Sequence, residues 1–181
     1  LDAPTLRALI RTVPDWPKPG VNFFDICSIV EHPSAFSWTV QELTRLIQSA
    51  QIEAIVSPDA RGFIWGAAVA YAAKLPLHLA RKPGKLPGAT VSKSYQYEYA
   101  ETSISMQANC PLAGKRVLIV DDVLATGGTA LAIVSLLQSH FQLTPERIGL
   151  AAVINLSFLG GEQRLRNRGV RVHSLLTCPH E

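Results

Sequence analysis

Five short, mostly apolar runs constrain this chain most: EAIVS (53–57), PLHLA (76–80), RVLIV (116–120), IGLAAVI (148–154) and VRVHSLL (170–176). Runs so rich in Val, Ile and Leu leave no regular wet side, so strands built from them must be covered on both faces. Helix-like stretches separate them: RGFIWGAAVAYAAK (61–74), a segment from about Gly128 to His140, and a shorter piece near Glu162 to Asn167. Strand–helix alternation of this kind predicts an α/β fold with a central, mainly parallel sheet and helices on both faces. SKSYQYEYAETSISMQ (92–107) breaks the pattern with a period of two, which predicts an antiparallel hairpin with one wet side. Residues from about 82 to 107 are read as a flexible flap appended to the sheet.

Ahead of these runs, Pro4 to Thr12 predicts a short amphipathic helix with Leu6, Leu9 and Ile10 inward. VPDWPKPG (13–20) then packs three prolines and a glycine into eight positions, a rigid non-helical crossing. Pro33 opens a longer helix with Phe36, Val40, Leu43 and Ile47 on one face. With 181 residues, no repeat and no linker, one domain spanning 1–181 is expected, with an N-terminal hood over about 1–30. Apolar residues at 48% and charged ones at 17% exclude a disordered chain. The net charge of +3 is small and dispersed, which argues against a nucleic-acid surface. No apolar run approaches the ~18 residues of a membrane span. No basic-then-apolar leader is visible, so a cytoplasmic protein is expected. Cys27, Cys110 and Cys178 lie far apart and read as buried small hydrophobes in a reducing compartment. Histidines 32, 78, 140, 173 and 180 are equally scattered, which gives no spacing for a caged transition metal.

The densest chemistry lies in VLIVDDVLATGGT (117–129). A buried strand delivers Asp121 and Asp122 to its carboxyl end, where ligands bind in open α/β sheets. A loop of small residues follows and opens directly into a helix. Ala125, Thr126, Gly127, Gly128 and Thr129 can aim successive backbone N–H groups and hydroxyls at one anion. There is no GxxxxGK[ST], so no lysine reaches further phosphates, and no GxGxxG follows a strand. A lysine-free cradle suits a phosphate monoester, and paired carboxylates just upstream suit the vicinal hydroxyls of a ribose. The alternative is an acidic strand end beside a glycine turn, each common alone.

VLIVDDVLATGGT resembles the phosphoribosyl-pyrophosphate-binding motif of the type I phosphoribosyltransferases. PDWPKPGVNFFD (14–25), DARGFIWG (59–66), RKPGKLPG (81–88), SYQYEY (94–99) and INLSFLGGEQRL (154–165) carry the resemblance along the chain and narrow it to members acting on adenine. The resemblance implies that fold, with hood and flap. It also implies transfer of 5-phosphoribose from phosphoribosyl pyrophosphate to adenine, giving AMP and pyrophosphate. Departure of pyrophosphate leaves oxocarbenium-like charge on the sugar, so catalysis needs stabilisation of both a cation and an anionic leaving group. Mg2+ is the implied cofactor, held mainly by substrate oxygens rather than by tight protein ligation.

By the same resemblance, Asp121 and Asp122 hold the ribose hydroxyls, and Ala125 to Thr129 hold the 5′-phosphate. Asp59, Ala60 and Arg61 form the pyrophosphate loop, where relatives often carry a non-proline cis peptide, here at Asp59–Ala60. Arg81 and Lys82, with Lys85 in the same basic loop, reach the pyrophosphate, in many relatives from across a dimer interface. A homodimer is therefore implied. Glu98 closes over the purine and helps manage its proton, with Tyr99 beside it toward the pyrophosphate. Val21 to Asp25 form the base-reading hood, largely through backbone groups, with Phe23 and Val123 stacking on opposite faces of adenine. Phe24 stands where relatives commonly carry a basic residue.

Two other readings compete. One keeps the sugar chemistry but takes hypoxanthine, guanine, xanthine or orotate. Enzymes for 6-oxopurines usually build their hood near the C-terminus with a lysine and aromatics, which HSLLTCPHE does not offer. The other is a non-catalytic phosphoribosyl-pyrophosphate sensor, which would be expected to need a DNA-binding domain and a basic stripe.

Overall fold

Asp2 caps the first helix, its Oδ1 accepting from the Thr5 amide at 3.0 Å. In this computed structural model, which describes residues 2–97 and 100–180, helix α1 covers Ala3–Leu9 with Leu6 fully buried. It stops short of the expected Thr12. Pro14 disfavours helix at Val13, and Arg11–Val13 forms strand β1, antiparallel to β2 (Phe23–Asp25). Arg11 Nη2 anchors the pair on Asp25 Oδ2 at 2.8 Å. The proline-rich crossing between them contains a cis Trp16–Pro17 bond. A short helix α2 (Cys27–Val30) follows, then α3 (Pro33–Ser49), which buries Ala35, Thr39, Leu43 and Ile47. Phe36 and Val40, expected at the centre of that face, sit on its half-buried flank.

Strand β3 (Ala54–Pro58) is buried throughout and leads into α4 (Gly62–Ala73) and β4 (Leu77–Ala80). The alternating segment forms the expected antiparallel pair, β5 (Thr90–Tyr97) with β6 (Ala100–Gln107). Its dry side belongs to the core: Ile104 and Met106 are buried. Strand β7 (Val117–Leu124), helix α5 (Gly128–Ser139), β8 (Ile148–Leu156), α6 (Gly161–Arg166) and β9 (Arg171–Cys178) complete the chain. The five long-run strands make one wholly parallel sheet in the order β4-β3-β7-β8-β9.

Side chains alternate across this sheet into two cores. Leu118, Val120, Ala151 and Val153 face α3 and α4, with Leu6 and Ile29 of the hood. Val117, Ile119, Leu150 and Ala152 face α5 and α6 together with Ile104 and Met106. Trp65 of α4 is fully buried, its Nε1 donating at 2.9 Å to Thr39 Oγ1 of α3. Both faces are thus covered, as continuous apolar strands require. From β3 the chain steps outward to β4 through α4. From β7 it steps the other way, through helices on the opposite face, so all crossovers keep one hand. The order reverses between β3 and β7. Of the cysteines, Cys178 is buried and Cys110 half-buried, but Cys27 is exposed, because α2 turns only Ile29 fully inward. Among the described residues no helix is long and apolar enough to cross a membrane.

Candidate active site

Ligands of doubly wound sheets bind beyond the carboxyl ends of the strands where the strand order reverses. Here that point lies between β3 and β7, and it opens into a cleft of about 480 Å³. The loop after β3 supplies Asp59, Ala60, Arg61 and Gly62, and the end of β7 with its following loop supplies Asp121 through Ala130. Lys82, Tyr95 and Thr102 close the remaining side. DARG and VLIVDDVLATGGT, about 60 residues apart in sequence, are brought together by parallel pairing of β3 with β7.

Strand β7 continues past both aspartates to Leu124, so they project from the strand itself rather than from its end. Asp122 is buried, and its Oδ2 accepts from Arg61 Nε at 2.6 Å. Asp121 Oδ1 accepts the Asp122 amide at 2.9 Å. The same oxygen lies where a Cβ on Gly62 would approach to 2.8 Å, so any side chain there would have to displace the Asp121 carboxylate. Burial pushes the Asp121 carboxyl well above the usual carboxylate range, and the neighbouring Asp122 charge adds to the effect. The residue borders the cleft and keeps partial exposure, with its Oδ1 held on the Asp122 amide close against Gly62. A carboxylate ionised against its surroundings gains most when positive charge develops beside it.

The loop Ala125–Thr126–Gly127 turns through a left-handed Gly127 at φ 79° into α5. Gly161 supports it from behind. A Cβ there would sit 2.2 Å from the Ala125 carbonyl oxygen and 2.8 Å from the Gly127 nitrogen. Arg164 Nη1 also donates to the Thr126 carbonyl at 3.3 Å. The cradle thus owes its position to α6 as well as to its own glycines. Sequence reasoning used INLSFLGGEQRL only as a resemblance. Its double glycine just after a buried strand was the signal for a close backbone approach.

The segment after β3, expected as the pyrophosphate loop, carries a cis Asp59–Ala60 peptide. Asp59 Oδ2 accepts the Lys82 amide at 3.4 Å and stands 3.5 Å from Arg81 Nε, which holds the basic loop against β3. The Arg81 guanidinium lies over the Phe63 ring at 5.8 Å and donates to the Lys85 carbonyl at 3.1 Å. Neither Arg81 nor Lys85 lines the cleft; Lys82 does.

Phe23 is not among the residues lining the cleft, but its ring lies 5.3 Å from the guanidinium of Arg61, which does line it, and edge-on to Trp16 at 4.3 Å. Phe24 faces the other way. As its strand neighbour it points to the opposite side, where it is buried in the hood core with the Arg7 guanidinium over its ring. As a candidate base contact, Phe24 therefore has only its backbone to offer. Val123 lines the cleft. Glu98 and Tyr99 lie outside the described residues. Tyr95, which sequence reasoning did not single out, reaches the cradle: its hydroxyl is 2.9 Å from Thr129 Oγ1.

The model of the phosphoribosyl transferase domain matches residues 35–174. An adenine phosphoribosyltransferase of Koribacter versatilis is 42% identical over 172 residues, 95% of this chain and 92% of its own length. One from Mannheimia succiniciproducens is 44% identical over 171 residues, 94% of this chain and 93% of its own. Among solved structures, an APRTase from Giardia lamblia complexed with 9-deazaadenine superposes with a TM-score of 0.93 at 31% identity, covering 99% of both chains. The Saccharomyces cerevisiae adenine phosphoribosyltransferase, complexed with an imino-altritol bisphosphate and adenine, gives a TM-score of 0.86 at 30% identity, covering 96% of this chain and 98% of its own.

Proposed function

The chain belongs to the adenine phosphoribosyltransferases, and we propose that the cleft between β3 and β7 is where it carries out their reaction. The 5-phosphoribosyl group passes from 5-phosphoribosyl 1-pyrophosphate to adenine, giving AMP and pyrophosphate in adenine salvage. One observation carries the assignment to this cleft. Paired carboxylates, a lysine-free amide cradle and Arg61 line the same 480 Å³ space at the reversal of strand order.

The cradle 125–129 holds the 5′-phosphate on backbone N–H groups and the hydroxyls of Thr126 and Thr129. Asp121 and Asp122 take the ribose hydroxyls and set their charge beside the anomeric carbon. The adenine N9 lone pair forms the bond to that carbon as the carbon–oxygen bond to pyrophosphate breaks, its electron pair leaving with pyrophosphate. Asp121 gains from the positive charge that develops on the sugar. Arg61, held at the cleft by Asp122, and Lys82 face the departing anion. Phe23 and Val123 bracket the base, and the hood backbone reads its edge. Glu98 takes the N9 proton directly or through water, and Tyr99 contributes toward the pyrophosphate. Among the described residues no group of three His, Cys, Asp or Glu side chains gathers as metal ligands. The hard-oxygen donors Asp121 and Asp122 fit Mg2+ shared with substrate oxygens, and the ion would neutralise charge on the leaving pyrophosphate.

A homodimer fits the surface. Helix α4 is apolar on its outer side as well, exposing Ile64 and Tyr71, the latter 89% exposed, beside Leu79 on edge strand β4. This face continues into the basic loop at Arg81. Three unpaired thiols, one exposed, suit a reducing cytoplasm.

The test is turnover with phosphoribosyl pyrophosphate and Mg2+, offering adenine, hypoxanthine, guanine and orotate separately. AMP should form from adenine alone and cease when Mg2+ is chelated. Asp122→Asn should lower kcat/KM by about 100-fold or more; wild-type kinetics in that variant would place the chemistry elsewhere. Turnover with another base would overturn the hood assignment and leave the ribose site standing.

A further inference from the structure

The 2.9 Å contact between the Tyr95 hydroxyl and Thr129 Oγ1 joins the flap to the cradle, across 34 residues of sequence. Both side chains line the cleft, and Tyr95 packs against the same core as the α5 face. The other root of the flap is already fixed. Ile104 and Met106 are buried, and Arg81 and Ser105 exchange backbone hydrogen bonds of 2.8 and 2.7 Å. Tyr95 is paired in register with Thr102 and stands three positions before Glu98 in the sequence.

We propose that Tyr95 is a positioning residue that couples phosphate in the cradle to the seating of the flap, through a relay in which Tyr95 donates to Thr129 and Thr129 donates to a phosphate oxygen. This rests on the reading of 125–129 as the phosphate site. A hydroxyl has one proton and two lone pairs. With no anion present the pair can point either way. Once the Thr129 proton is committed to a phosphate, Thr129 can only accept from Tyr95, so the direction of the bond is set. Hydrogen bonds in a chain ending on a charged acceptor polarise and strengthen one another. Phosphate therefore tightens the flap contact, and by linkage the contact tightens phosphate binding by the same factor.

The experiment is amide hydrogen exchange over residues 90–107 of the full chain, with and without ribose 5-phosphate, alongside calorimetric titration of that ligand. Ribose 5-phosphate is a monoester that lacks both pyrophosphate and base. In the wild type it should slow exchange in this segment by about 2- to 10-fold. Tyr95→Phe keeps the ring and its packing. It should lose the slowing and bind ribose 5-phosphate more weakly by a similar factor. Thr129→Val, which removes the middle hydroxyl, should lose the slowing as well. Slowing that persists in Tyr95→Phe overturns the relay, whether or not affinity falls, since Tyr95 would then only pack. Binding to the wild type without slowing overturns it too. If the wild type does not bind ribose 5-phosphate at all, the cradle reading itself fails, and the relay with it.

Discussion

Replacing Gly161 by alanine tests whether a helix outside the cleft sets the position of the proposed phosphate site. The new Cβ would lie 2.2 Å from the Ala125 carbonyl oxygen, 2.8 Å from the Gly127 nitrogen and 2.9 Å from the Thr126 carbonyl carbon. These are backbone atoms with no rotamer to turn away. A carbon–oxygen approach settles near 3.3 Å, so the carbonyl must retreat by about 1 Å. Helix α6 cannot absorb the movement easily, because Leu165 anchors it in the core at 0% exposure. The shift falls on the loop 125–127. Misplacing reacting groups by about 1 Å costs on the order of 100-fold in rate, or about 2.7 kcal/mol of transition-state stabilisation. We expect kcat/KM for phosphoribosyl pyrophosphate to fall by that order in initial-rate assays of Gly161→Ala, with the protein still folded by thermal melt. Gly160→Ala is the matched control. Gly160 has φ 73° and nothing within 4 Å of its Cβ position, so alanine there costs ~1 kcal/mol of backbone strain and should leave turnover within about threefold. A folded Gly161→Ala enzyme with kcat/KM also within about threefold of wild type would refute the argument.

Three other outcomes follow from the same geometry. Asp121→Asn should melt at or above the wild type at pH 7 while losing most activity. The native state holds the Asp121 proton more tightly than the unfolded chain, so its burden on stability is absent at low pH and grows as pH rises from about 4. Melts across pH should show the gap between variant and wild type widening upward; a gap that widens downward would contradict the buried carboxyl. Phe24→Leu should cost ~1 kcal/mol in denaturant unfolding and leave base preference unchanged, because the ring packs in the hood core; a switch of preferred base would show that the side chain reads the base. If the proposed homodimer forms through α4, Tyr71→Glu should shift it toward monomer in sedimentation equilibrium, and an undiminished dimer would place the interface elsewhere.

What could be read without the structure was what is contiguous in the chain. The carboxylates, the small-residue loop and the helix start lie within the 13 residues of VLIVDDVLATGGT, and all of 121–130 lines the cleft. Hydrophobic period likewise set the five parallel strands apart from the alternating flap, since period reports which faces of an element are dry. It misjudged elements where one local restraint outweighs it. Helix α1 ends at Leu9 because Pro14 and the pairing of β1 with β2 take over, and Cys27 is exposed because α2 is only one turn long.

The amino-acid order by itself thus determined the strands, the cradle and the paired carboxylates, because each depends on neighbours a few residues apart. Only the tertiary structure decided the rest: Arg61 on Asp122, Gly161 behind Ala125, Tyr95 on Thr129, and Phe24 turned away from the cleft. Those contacts join residues 34 to 61 positions apart, or depend on which side of a short strand faces inward. Arg61 meets Asp122 because β3 and β7 pair side by side where the strand order reverses. No local pattern encodes that reversal, since it is selected by how two cores pack on opposite faces of one sheet.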